Sequence, residues 1–125
     1  MTYHGKVQLM LLIIAPPDQE AEGDRVFQMH GTWMESMHYR TGEKALLSYN
    51  VSKAKELSDP GDFNSTPTGK TYFILTEIYE TIAGVHDHRK QAHESWKDWP
   101  AFSDWLDKCK VTFIGAASIF NSLWP

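Results

Sequence analysis

The chain has 125 residues, 42% of them hydrophobic and 22% charged, with a formal net charge of -4. That length suits one domain, 1–125, able to bury a core without disulfides or a structural metal. The acidic balance argues against a general nucleic-acid binder, and the single cysteine, Cys109, excludes an internal disulfide framework and fits a reducing cytoplasm.

Lys6 to Ala15, KVQLMLLIIA, is the first predicted strand. Val7, Leu9, Leu11 and Ile13 point one way, and Met10, Leu12 and Ile14 the other, with Gln8 the one polar residue. Such a run is too short to cross a membrane, and no small-residue cleavage region follows it. A strand apolar on both faces must be covered on both. Pro16 and Pro17 end it, because proline supplies no ladder donor.

Asp24 is the expected N-cap of a helix from Arg25 to about Arg40, closed by Gly42 as a left-handed C-cap. Val26, Met29, Trp33 and Met37 recur at helical spacing, with Phe27, His30 and Met34 beside them. This methionine-rich stripe reads as core packing or as an adaptable ligand wall. Ala45 to Val51 is the second strand. Ser52 to Lys70 is then polar and rich in turn residues: a functional arm or a flexible surface loop. Gly69-Lys70-Thr71 is no phosphate loop, since Asn64 stands where that motif needs glycine and the segment feeds a strand.

The third strand runs from Thr71 to about Glu80, with Tyr72, Ile74, Thr76 and Ile78 on one face and Phe73, Leu75, Glu77 and Tyr79 on the other. A helix from Ile82 to Trp96 follows. Asp98 and Pro100 start a short second helix, with Phe102, Trp105, Leu106 and Cys109 on one stripe. Lys110 to Phe120 is the fourth strand, and its Gly115-Ala116-Ala117 centre suggests a bulge or a close approach by another group.

The order strand, helix, strand, strand, helix, strand is that of an α+β, ferredoxin-like βαββαβ fold: an antiparallel four-stranded sheet with its helices on one face. The other sheet face is left bare although it is apolar. Leaving such side chains wet costs roughly 1.5–3 kcal/mol each. A second copy of the chain is the expected cover, so the pattern predicts a homodimer through the sheet face.

Glu77 is the out-of-place charge. It shares a strand face with Phe73, Leu75 and Tyr79, so it points into apolar space and must be paired or hold its proton. A salt bridge to Arg25, Arg40 or Arg89, a dimer-interface pair, and a polar anchor in a ligand cavity all meet that need. On the following helix Val85, Ala92 and Trp96 define the expected buried stripe, with Arg89 near its middle and His86, His88 and His93 on its margins. Histidines five apart do not share a helix face, so His88 and His93 form no chelating pair, and no metal or cofactor is expected. Each reads either as a boundary histidine or as a general base at the mouth of an apolar pocket. Cys109 reads as an inert core thiol.

Glu77-Ile78-Tyr79-Glu80 leading to His88-Arg-Lys-Gln-Ala-His93, within this element order, resembles the dimeric α/β-barrel superfamily and, within it, the antibiotic-biosynthesis-monooxygenase-like proteins. The resemblance implies a dimeric barrel with a pocket between sheet and helices. It further implies a cofactor-independent monooxygenase-like enzyme for a small apolar or aromatic substrate, with Glu77, His88 and His93 as catalytic candidates. Tyr79, Trp33, Phe73 and Trp96 are the candidate substrate contacts. Gln8 stands where haem-degrading relatives carry asparagine, which argues against haem degradation. Two other readings stay open: a non-catalytic module for a small hydrophobic ligand or a stress-related role, and a barrel filled by its own side chains.

Overall fold

The computed structural model describes residues 2–124. Strand β1 (Val7–Ala15) ends at Pro16, and a 3-10 turn over Pro17–Gln19 leads straight into helix α1 (Glu20–Met37). The helix therefore begins before the expected cap. Glu20 and Glu22 occupy its first turn, where negative charge suits the positive helix end. Asp24 is no N-cap: it sits inside the helix and, like Glu20, holds Lys53 Nζ at 2.8 Å. At the far end α1 stops at Met37 as the backbone of His38 turns extended. Gly42 does take a positive φ, +87°, but in the connecting turn rather than at the helix end.

The largest departure lies between Ser52 and Lys70. Strand β2 (Leu46–Leu57) and strand β3 (Pro67–Tyr79) continue pairing far beyond the expected limits, through Ala54–Tyr72 and Lys55–Thr71 to Leu57–Pro67. The segment is a hairpin arm, not a loop. Its polar side chains hid the strands because an arm projecting past the core has no buried face to impose an apolar alternation. The tip is ordered by the Asp59, Asp62 and Ser65 side chains bonding nearby backbone, and it holds Phe63 out at 91% exposure.

Helix α2 (Ile82–Glu94) is capped by Thr81, whose hydroxyl accepts from Ala83 N at 3.1 Å. Helix α3 (Trp99–Asp107) starts after Asp98, which makes no side-chain cap bond, and Pro100 takes the second rather than the first helical position. Strand β4 (Lys110–Ser118) closes the sheet, whose order is β2-β3-β1-β4 with every pairing antiparallel. This is the ferredoxin-like arrangement. The expected bulge is present: Gln8 opposes Ala117 while Met10 opposes Ile114, so β4 carries an extra residue around Gly115–Ala116.

Burial alternates along the central strands. Leu9, Leu11, Ile13 and Ala15 of β1 and Thr71, Phe73, Leu75, Glu77 and Tyr79 of β3 are buried beneath the helices. Met10, Leu12, Ile14, Tyr72, Ile74 and Ile78 lie on the opposite face and are only half-buried. From α1 the layer receives Val26, Phe27, His30, Trp33 and Met34, while Met37 is 45% exposed. The buried stripe of α1 is thus rotated away from Met37. Close packing at one end requires Gly23, where an added Cβ would come within 2.6 Å of both Phe73 and Trp105.

Candidate functional site

Glu77 and Tyr79 share the inner face at the end of β3, two residues apart, and Tyr49 of β2 stands directly opposite Glu77 in the register. Helix α1 sends His30 down onto this corner, and α2 sends His88 from the other side. His38 follows from the residue that ends α1. Gly84 in the first turn of α2 makes the corner tight: a Cβ there would meet the Tyr79 ring at 2.6 Å and the Lys44 carbonyl oxygen at 2.9 Å.

Glu77 is fully buried and takes the Tyr79 hydroxyl proton in a 2.6 Å hydrogen bond to Oε1. Its other oxygen, Oε2, has no hydrogen-bond partner. His88 Nε2 lies 3.7 Å from Glu77 Oε1, too far for a direct hydrogen bond. None of the expected arginines reaches the carboxylate: Arg25 pairs with Glu22 at 2.7 Å, and Arg89 lies outside over the Phe113 ring, 5.0 Å from its centroid. Burial without a cationic partner pushes the Glu77 carboxyl up to about 7, the Tyr79 bond opposing in part.

The histidines are held neutral by the same burial. His30 is pushed down to about 3 by desolvation and then by His38, and His88 to about 2 by desolvation and then by His38 and His30. Burial also lowers His38. Their hydrogen bonds assign the tautomers. His38 Nδ1 lies 3.1 Å from the Met34 carbonyl, which can only accept, so that nitrogen carries the proton. His38 Nε2 then accepts from His88 Nδ1 at 2.8 Å. His88 Nε2 is left as a bare lone pair facing Glu77. Burial, with the Glu77 charge second, raises Tyr49, and its hydroxyl meets His30 Nδ1 at 2.8 Å.

A cavity of about 230 Å³ lies beside this cluster, between the inner sheet face and all three helices. His30 and His88 form its polar floor, Leu9, Leu11, Leu75 and Phe102 its apolar wall, and Arg89, His93 and Phe113 its rim. The cavity exceeds the roughly 150 Å³ that admits benzene, and it suits a molecule of one or two rings.

The residues singled out from the sequence divide into three groups. Glu77, Tyr79 and His88 do converge, with Glu77 and Tyr79 behind the histidines rather than on the cavity wall. Trp96 and His93 line the cavity, but His93 is exposed and rests on the Trp99 ring, centroids 4.2 Å apart, well away from Glu77. Trp33 and Phe73 do not line it. Trp33 braces His88, His38 and Trp96 from behind, and Phe73 packs among Phe27 and Trp105 at the other end of the core.

The assignment of the α2 faces needs correction: His88 lies within the buried stripe with Gly84, Val85 and Ala92, and Arg89 is outside it. Val85, Ala92 and Trp96 are buried as expected, but the residue between them that turns inward is His88 and not Arg89. His30, His38 and Tyr49 were missed. His30 was legible as a histidine inside the apolar repeat of α1, whereas nothing local marks His38 or Tyr49. Cys109 is half-buried with its thiol pushed up to about 11 by burial, in keeping with an unreactive side chain.

No protein-family model matches the chain, and no curated protein matches it in sequence. Among solved structures, a dimeric ferredoxin-like protein from an uncultured marine organism superposes with a TM-score of 0.61 at 13% identity, over 94% of this chain and 99% of that one. The fold is ferredoxin-like. At that identity the likeness concerns the fold alone. Among the described residues, no helix is long and apolar enough to cross a membrane.

Proposed function

We propose that the protein is a cytoplasmic homodimer that binds a small, weakly acidic aromatic molecule, of the phenol or hydroquinone class, and moves its proton. The observation that carries this reading is the buried Glu77 carboxyl, poised near 7 behind the bare Nε2 of His88 at the floor of an apolar cavity. A general base works best when its pKa lies near the working pH. Glu77 is that base: its Oε1 and the Nε2 of His88, which His38 keeps neutral and oriented, are two acceptors 3.7 Å apart, and a ligand hydroxyl reaching between them would pass its proton to the carboxylate. Arg89 at the rim favours a ligand that gains negative charge. Deprotonating an electron-rich phenol prepares it for attack by oxygen without a bound cofactor, which is the monooxygenase-like chemistry that the sequence resemblance implies.

The dimer reading rests on the outer sheet face. Met10, Leu12, Ile14, Tyr72, Ile74 and Ile78 form one apolar surface there, continued on β4 by Ile114, which is 45% exposed. A second copy covers that surface by two-fold symmetry, and the solved ferredoxin-like relative is itself described as dimeric.

The test is a titration with 4-nitrophenol, whose anion is coloured. Expected is saturable binding of one molecule per chain, with the anion forming at a pH below that needed in free solution. Glu77→Gln should abolish that shift while keeping binding, and Ala92→Trp, which fills the cavity, should abolish both. A bound phenol that stays neutral in the native protein removes the proton-transfer role. Oxygen uptake with hydroquinones then tests the oxygenase step.

A further inference from the structure

We propose that His30, Glu77 and His88 form a binding site for one divalent first-row transition-metal ion at the floor of the cavity. One ring nitrogen from each histidine and one Glu77 oxygen lie within 4.8 Å of one another, and all three residues are buried. They come from α1, β3 and α2, three separate elements of the packed layer.

Several observations point to an ion rather than to a self-sufficient core cluster. His88 Nε2 and Glu77 Oε1 stand 3.7 Å apart as two acceptors with no proton assigned between them. Ligands about 2.0–2.2 Å from a shared ion lie roughly 3.4 Å apart at tetrahedral angles, so a small contraction brings these atoms into coordination. Glu77 Oε2 is buried without any partner. Unpaired buried polar atoms of this kind are uncommon and call for an occupant. A buried carboxylate also needs a cation, and among the described residues no lysine or arginine forms an ion pair with it.

The surroundings suit a metal as well. His38, anchored on the Met34 carbonyl, accepts the Nδ1 proton of His88 at 2.8 Å. An outer hydrogen bond of that type fixes the tautomer and orients the ligating nitrogen. Tyr79 performs the same service for Glu77 at 2.6 Å. Two neutral imidazoles and one carboxylate suit zinc, ferrous iron, cobalt or manganese in their divalent states. Three protein ligands leave coordination positions free on the cavity side, where His30 and His88 form the floor. The site rests on the same corner as the proton-transfer reading and shares its residues, with one change of role: with an ion bound, Glu77 would be a ligand, and the ion in place of the free carboxylate would favour the ionised form of the ligand oxygen.

Untagged protein, dialysed against a chelator, is to be titrated with Co²⁺ as the probe. Expected are one ion per chain, visible d–d bands of a four- or five-coordinate centre, and X-ray absorption reporting two imidazole nitrogens in the wild-type protein. Glu77→Gln and His30→Gln should each weaken binding by more than the roughly 10–100-fold lost with an outer-shell partner. His86→Ala, on the exposed face of α2, should leave it unchanged. Featureless spectra, affinity untouched by Glu77→Gln, or binding lost with His86→Ala would each overturn the site. If Co²⁺ fails to bind while the metal-free protein still binds and ionises 4-nitrophenol, the metal site falls and the proton-transfer reading stands. Co²⁺ bound as expected with no nitrophenol response upholds the metal site and removes the other.

Discussion

The layer between sheet and helices has two ends, differently made, although Glu77 and Tyr79 in one are as deeply buried as Phe73 and Trp105 in the other. Around Phe73 the space is filled by rings: Phe27 stacks on it with centroids 5.7 Å apart, and Trp105 meets it edge-on at 5.3 Å. Trp105 satisfies its one polar atom by donating from Nε1 to the Gln19 carbonyl at 3.0 Å. Around Glu77 the same layer holds a carboxyl, two tyrosines and three histidines beside a cavity, with one carboxyl oxygen unpaired. The first end packs ring against ring. The second gives up packing and hydrogen bonds, and such concessions collect where a protein does chemistry.

Truncation at the filled end should have the largest effect. Trp105→Ala removes a fully buried ring and should cost about 3–5 kcal/mol, read as a lower denaturant midpoint, with no specific change in ligand affinity among molecules that remain folded. A loss below 1 kcal/mol would show that this end is loosely packed and weaken the contrast.

The polar end should show itself through pH. In the metal-free protein Glu77 prefers its proton up to about 7, so folding takes up a proton between the ordinary carboxylate range and 7, and stability from this group falls as pH rises through that window. His30 and His88 work the other way: they stay neutral down to about 3 and 2. Below their ordinary value near 6.5 the unfolded chain gains two protons that the folded one refuses. Two against one, with His38 adding to the histidine side because burial lowers it as well, the native protein should lose stability as pH falls from 6.5 toward 4.5. Glu77→Gln removes the opposing uptake, so its acid loss should be steeper. The same variant should be more stable than wild type at pH 8 by a few kcal/mol, having no charge to bury. Equal slopes from chemical denaturation across this range would contradict the buried, unpaired carboxyl.

The smallest effect is expected at the rim. His93→Ala touches an exposed ring on Trp99 and should change stability by no more than about 0.5 kcal/mol and ligand affinity only a few-fold. A loss of the nitrophenol ionisation shift as complete as that expected of Glu77→Gln would move the reacting group out to the rim.

Much of this was legible beforehand. Period-two alternation in β1 and β3 identified the inner and outer faces residue by residue, and it marked Glu77 as a charge aimed inward, because side chains on a pleated strand have only two directions. The glycine-alanine centre of β4 signalled its bulge. The strand pairing along the arm was not legible, since strands without a buried face carry no alternation. Nor was the role of His88, because an error of one position in a helical stripe turns a side chain by about 100°.

The sequence by itself determined the order of elements, the ferredoxin-like topology and the two-faced central strands, all products of local periodicity and turn chemistry. Only the tertiary structure decided that Glu77 meets histidines instead of an arginine, and that His93 lies at the rim. It also brought His30, 47 residues ahead of Glu77 in the chain, to the same corner. Rules based on residue spacing within one helix see only a single element. A site assembled from α1, β3 and α2 has no spacing to read, since its distances are set by how the helices cross the sheet.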